Sequence, residues 1–140
     1  MPKSATQNKP VRKPSTATDA ESDRDGLNLV VVRGTVSSPP DVRVLPSEAV
    51  LAQLQVSTRL ESETLSMPVA VWSPAAWVES LEPGDEIVVL GRVRRRFFRV
   101  GGAAASRVEV EADVVARARD RRRVHAAVQR AIDALEVLDE

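Results

Sequence analysis

Three features of the sequence predict an all-β core, a small five-stranded barrel followed by a C-terminal α-helix. Runs rich in β-branched residues, alternating apolar with polar side chains, recur between residues 29 and 116 and are punctuated by proline and glycine. Hydrophobic residues make up 43% of the chain but aromatic ones only 3%, so the core must be built from Val, Leu and Ala. Beyond residue 117 the apolar spacing lengthens to three and four, the period of a helix.

The first strand runs from Leu29 to Val36 and must stop at Ser37-Ser38-Pro39-Pro40, because proline cannot donate to a sheet ladder. Gly34 inside it predicts a bulge or a sharp bend. Pro46-Ser47-Glu48 makes a turn. In the second strand, Val50 to Thr58, the residues Val50, Ala52, Leu54 and Val56 face the core while Gln53, Gln55 and Ser57 face away. The third strand, Leu65 to Trp72, turns Leu65, Met67, Val69 and Val71 inward and Ser66, Pro68, Ala70 and Trp72 outward. Pro68 requires an edge position or a bulge, with no neighbour facing its missing amide proton.

Ser73 stands where a helix cap is expected and Pro74 where the first helical residue would be, so one or two helical turns follow, with Trp77 as a plug for the barrel. Pro83-Gly84-Asp85 closes them. The fourth strand carries Ile87-Val88-Val89 on into Gly91–Gly102, and the fifth runs from about Ser106 to Ala116, the two forming a long hairpin around the double glycine. Asp120 can cap a last helix that reaches about Leu138, with an apolar seam at Val124, Val128, Ala131, Leu135 and Leu138. That seam is expected to pack on the barrel in preference to a partner subunit.

Residues 1–27 hold Pro2, Pro10 and Pro14 among serines and threonines, with Lys3, Lys9, Arg12 and Lys13 first and Asp19, Glu21, Asp23 and Asp25 later. Such a segment buries too little apolar surface to offset the entropy of ordering it, and is expected to be a disordered tail. The organisation is then a tail over 1–27, a barrel over 28–116 and a helix over 117–140. Five strands with a short helix between the third and fourth is the order of the OB-fold.

Composition narrows the function. The formal net charge is zero, so any basic surface must arise from local segregation of charge. Cysteine is absent, which removes disulfides, thiolate nucleophiles and cysteine zinc sites. The single histidine, His125, falls on the terminal helix among charges. There is no glycine-rich phosphate loop, no serine–histidine–acid arrangement and no metal-ligand cluster, so neither an enzyme nor a cofactor is expected. No apolar run approaches the roughly 20 residues that span a bilayer, and the N-terminus lacks the apolar segment of a secretory signal, which points to the cytoplasm.

Positive charge and aromatic surface coincide in Gly91-Arg92-Val93-Arg94-Arg95-Arg96-Phe97-Phe98-Arg99-Val100-Gly101-Gly102. Cations that track phosphates, beside flat faces on which bases stack, are what a single-strand nucleic-acid binder requires. With Val93 inward, Arg92, Arg94, Arg96 and Phe98 share the outward face, and Trp72 is a second platform with Arg33 and Arg59 as further phosphate contacts. Opposing this, the fifth strand turns Val108, Val110, Ala112 and Val114 inward and Arg107, Glu109, Glu111 and Asp113 outward. A turn at Gly101-Gly102 sets Arg94 opposite Glu109 and Arg92 opposite Glu111, so the base of the arginine ladder is expected to be paired across the hairpin. Arg95, Arg96, Phe98 and Arg99 then remain as the binding end, while Phe97 faces the other way, toward core or an interface. The three acids stand in a row on one strand, which suits charge pairing better than a metal site. Arg121-Arg122-Arg123 open the last helix, where cations oppose the helix dipole; a phosphate or acidic partner, or simply a solvated face, would account for them.

Four pieces in order carry a family resemblance: Asn28-Leu29-Val30-Val31-Val32-Arg33-Gly34-Thr35-Val36, Pro40-Asp41-Val42-Arg43, Val71-Trp72-Ser73-Pro74-Ala75-Ala76, and Pro83-Gly84-Asp85-Glu86-Ile87-Val88-Val89-Leu90-Gly91-Arg92-Val93. Together they resemble the bacterial single-stranded DNA-binding protein family across roughly residues 28–116. The resemblance implies an OB-fold, single-stranded DNA as ligand in replication, repair or recombination at the nucleoid, and assembly into dimers or tetramers. Carried over by position, Trp72 and Phe98 fit base-stacking sites, whereas Ser66 stands where an aromatic is often found. The family's acidic tip ending in Pro-Phe is not matched by Val137-Leu138-Asp139-Glu140, so partner recruitment through such a tip is not expected, and the chain reads as a divergent member. The low aromatic count and heptad-like last helix also suit an OB-fold used as a protein-assembly module, and stacking with phosphate contacts would serve single-stranded RNA as well.

Overall fold

The computed structural model describes residues 26–137; the expected tail therefore lies, but for Gly26 and Leu27, outside the described residues, as does Leu138. Six strands and two helices follow one another: β1 Val30–Val36, β2 Asp41–Val44, β3 Val50–Leu60, β4 Glu63–Trp72, α1 Ala76–Glu79, β5 Glu86–Val100, β6 Ala103–Arg117 and α2 Arg121–Glu136. Hydrogen bonding runs in the order β1-β5-β6-β4-β3, and β3 returns to β1, which closes a five-stranded barrel. All neighbours are antiparallel except β4 and β6, which pair in parallel at Val69↔Val110 and Ala70↔Glu111. The barrel is filled as its composition requires: Val36, Ala52, Leu54, Val56, Val69, Ile87, Val89 and Val110 are almost wholly buried.

Closure depends on Gly34. From there β1 passes from β5 to β3: Thr35 still pairs with Glu86 of β5 but also with Ser57, and Val36 pairs with Val56. A Cβ at Gly34 would collide with the carbonyl oxygen of Ser57, so two backbones cross where only glycine fits. The bend expected at this residue is the seam of the barrel. Pro68 sits just before the parallel pairing of β4 with β6 begins, where its missing donor breaks no ladder to that neighbour.

Four expectations need correction. β2, a strand that sequence did not predict, pairs along β3 from Asp41↔Gln53 to Val44↔Val50, so the short helix lies between the fourth and fifth strands of the chain. That helix is capped at Ala75 and starts at Ala76; Ser73, expected as the cap, adopts a positive φ of 51° and donates its backbone N–H to Val50 O. The fully buried plug it supplies is Val78, with Leu81 just beyond, both about 2% exposed, while Trp77 packs against the same core but stays half-buried beneath Arg117 and Arg123. Lastly, β6 carries a bulge: Leu90 pairs with Val114 and Gly91 with Ala112, leaving Asp113 over.

The bulge reverses the alternation beyond it. Val115, not Val114, joins the barrel core, and Val114 turns outward with Leu90 to make an apolar patch on the outside of the sheet. α2 covers that patch, as expected, but with Ala127 and Ala131, which are buried where Val128 and Leu135 are 41% and 47% exposed. Small side chains let the helix lie close against a convex sheet, so the alanines and not the larger residues of the expected seam face the barrel. Asp120 caps α2 as expected, its carboxylate accepting from the backbone N–H of Arg123.

Candidate nucleic-acid interface

The hairpin of β5 and β6 is fifteen residues on each arm and turns at Gly101 and Gly102, whose positive φ values of 57° and 84° are those of a tight two-residue hairpin loop. A two-residue turn fixes the register, and Arg92↔Glu111 and Arg94↔Glu109 are indeed opposite one another. The side chains then depart from simple cross-strand pairing. Both Arg92 and Arg94 reach Glu111: Arg92 Nε and Nη2 donate to Oε1 at 3.1 and 2.9 Å, and Arg94 Nη1 donates to Oε2 at 2.8 Å. The indole Nε1 of Trp72, outward on β4 and 38% exposed, donates to the same Oε2 at 3.1 Å.

Glu111 of β6 is thus a buried carboxylate holding two arginines of β5 and a tryptophan of β4. Its pKa is lowered below 4.5, first by the hydrogen bond from Arg92 and then by Arg94, against the opposing effect of burial, and the same bond raises that of Arg92. Glu111, with Asp113 acting on Arg92 at longer range, offsets the two arginines at this centre of the face. Trp72 and Arg94, both expected at the site, are placed together by the structure, but tethered to an acid.

Nearer the tip the balance shifts. An open groove of about 520 Å³ is walled by Arg96, Phe98 and Arg99 of β5 and Arg107 of β6, with Gln53 and Gln55 of β3 as its floor and Pro39 and Arg43 opposite. With its amide oxygen toward the two guanidinium groups, Gln53 accepts from Nη2 of Arg96 and of Arg107 at 3.0 Å each. Glu109 lies behind them, 3% exposed, with Arg96 Nε and Arg107 Nη2 both at 3.9 Å from its oxygens and no hydrogen bond to Oε1 from any described residue. Arg96 therefore does not escape the acids as expected; it shares Glu109 with Arg107. Two arginines against one distant carboxylate leave the groove a positive excess, to which Arg99 adds and which the exposed Arg43–Asp41 pair leaves unchanged. Phe98 is 40% exposed at its wall.

The remaining expected residues lie elsewhere. Arg95 is on the opposite face of the hairpin, donating to Ser106 Oγ at 3.0 Å. Arg33 pairs with Glu86 at 2.9 Å near the start of α2, and Arg59 stands exposed beside the β3–β4 turn. Phe97, 76% exposed, faces neither core nor groove and shares its side of the sheet with Val93 and Val108. Glu109, Glu111 and Asp113 do not converge, since the first two turn to arginines and the third is the bulge residue. Sequence reasoning missed Arg43, Gln53, Gln55 and Arg107 as neighbours of Phe98. Arg107 had a signal, its register opposite Arg96; Arg43 had none, since it rides on the unanticipated β2.

Compared with known proteins, the chain matches no family model and no curated protein. Among solved structures it is similar to a chain described as "Plasmodium falciparum SSB complex with ssDNA", with a TM-score of 0.54 and 18% identity over 65% of this chain and 92% of that one. The two share a fold. The five-stranded closed barrel is accordingly of the OB type, and the likeness extends through nearly the whole of that neighbour. Among the described residues, no helix is long and apolar enough to cross a membrane.

Proposed function

We propose that this protein binds single-stranded DNA without sequence preference, in the groove between the hairpin and β2–β3. The observation that carries the reading is the joining of Arg96, Arg99 and Arg107 with an exposed Phe98 over a glutamine floor. Guanidinium groups meet phosphates, one ring stacks a base, and amides on the floor accept or donate to any base edge, which gives affinity without a sequence code. The barrel's likeness to a chain described in complex with single-stranded DNA supports the choice of ligand. Such a protein would serve replication, repair or recombination at the nucleoid by covering exposed strands. Phe98→Ala is the direct test of the groove: it should weaken oligo-dT binding by about 1–3 kcal/mol, while Phe97→Ala on the opposite face leaves binding unchanged. Equal affinity for all three proteins would remove the groove from the account.

One observation favours a second activity for the same barrel. Phe97, Val93, Val108 and Leu65 leave the reverse of the hairpin apolar and exposed, a surface suited to assembly into dimers or tetramers. If Phe97 seats in such an interface, Phe97→Ser lowers the mass measured by sedimentation, and an unaltered mass excludes this face.

A further inference from the structure

The described residues carry a second concentration of positive charge, at the other end of β5. Residues 117–123 hold Arg117, Arg119, Arg121, Arg122 and Arg123, a higher density of arginine than the hairpin itself. An open groove of about 620 Å³ lies there, lined by Arg33, Arg119, Arg121 and His125 above an apolar strip of Val124 and Val128 from α2. The local acids are already engaged: Glu86 with Arg33 at 2.9 Å, Asp85 with Arg117 at 3.6 Å, and Asp120 as the cap of α2 and partner of Arg123. No described carboxylate lies within 4 Å of Arg119 or Arg121.

Arg121 stands in the first turn of a sixteen-residue helix, where the dipole disfavours a cation and no acid of that turn offsets it. Maintaining unpaired arginines there is unfavourable for the isolated fold and becomes favourable once an anion bridges them. At about 620 Å³ the groove has room for more than one phosphate, and its apolar strip suits the flat face of a base or sugar beside the charges. Glu86 of this groove and Phe98 of the first lie on the same strand, roughly 40 Å apart along its contour.

We infer that the groove between β1 and the start of α2 is a second contact for the phosphodiester backbone of the same strand, engaged only by a strand long enough to leave the hairpin groove and cross the barrel. This rests on the reading of the hairpin groove as the primary site. The arginines at the entry to α2 would then convert a short-footprint binder into one that holds long single strands, with Arg119 and Arg121 as the residues that make the difference.

The experiment uses the full chain, its Arg119→Ser/Arg121→Ser variant, and the corresponding Arg→Lys pair. Labelled oligo-dT of about 4 and about 40 nucleotides, at the lower limit of and well above the roughly 4–16 that one OB barrel covers, is titrated across a salt series. The serine pair should leave the short oligonucleotide unaffected and weaken the long one on the order of 10-fold at low salt, with its salt slope shallower by about 1.4, or about 0.7 per lost phosphate contact. The lysine pair, which keeps both charges, should restore that slope. Unchanged binding of the long oligonucleotide by the serine pair overturns the second groove and leaves the first intact. An equal loss for short and long strands overturns it too, since the arginines would then act as a general field. If the unaltered protein binds neither length, the primary site falls and the second groove with it.

Discussion

Glu111→Gln separates the two tasks of the outer sheet face more sharply than any change in the groove. In the native protein one buried carboxylate accepts two bonds from Arg92, one from Arg94 and one from Trp72. Glutamine is nearly isosteric and its carbonyl can still accept from the Trp72 indole, but it cannot hold two guanidinium groups. A charge-assisted bond contributes about 1.5–3 kcal/mol net. The arginine side chains are 58% and 56% exposed and rehydrate readily, which puts the total loss near the low end, at about 1–2 kcal/mol. For a domain of this size that lowers Tm by about 4 °C per kcal/mol. Binding should move the other way. The substitution removes a negative charge from the middle of the face and releases Arg92 and Arg94 toward the strand, so oligo-dT binds more tightly. Its salt slope steepens by up to about 1.4, at about 0.7 per arginine that reaches a phosphate. Thermal melts by circular dichroism and anisotropy titrations over a salt series read both quantities on the same preparation. A variant that melts at the native temperature, or that binds less tightly than the native protein, refutes the argument that Glu111 trades affinity for stability.

The same carboxylate gives the protein a predictable acid response. Because folding lowers the pKa of Glu111, its contribution is fully present above the ordinary value of 4.5 and is lost as pH falls below it, so the stability gap between the native protein and Glu111→Gln should narrow in urea unfolding series carried below that pH. A gap that stays constant into acid would mean that the pair contributes nothing through its charge. At the barrel seam, Gly34→Ala forces a Cβ onto the Ser57 carbonyl and should cost roughly 1–3 kcal/mol in the same unfolding measurement, the cost of overpacking; a neutral result would show that β1 and β3 separate freely.

What the sequence made legible was whatever depends on near neighbours. Two glycines between alternating arms fix a two-residue turn, and the turn fixes every cross-strand partner back to Arg92↔Glu111. Inward residues of β3 and β4 follow from strict alternation, although Leu65 is 53% exposed because β4 runs past the end of the barrel. The failures share one cause, dependence on distant chain. A bulge at Asp113 is invisible to alternation, yet it turns Val114 outward and creates the patch that α2 covers. Once that patch exists, closeness favours Ala127 and Ala131 over Val128 and Leu135, a choice hydropathy alone reverses. The site shows the same division. Arg96, Phe98 and Arg99 were legible as one end of one arm, whereas Gln53, Arg43 and Arg107 reach them only through sheet closure and the unanticipated β2. Arg95 was misplaced by treating charge density as a surface when alternation sends it to the other face.

Anisotropy titration of the unaltered protein with labelled oligo-dT, beside RNA and duplex of the same length at low salt, is the most direct test of the central claim. Oligo-dT should bind saturably and more weakly as salt rises, Trp72 emission should be quenched as the strand crosses the sheet, and duplex, whose bases are stacked out of reach of Phe98, should bind more weakly. Binding of duplex as tight as that of the single strand, or no binding of oligo-dT at low salt, would contradict it.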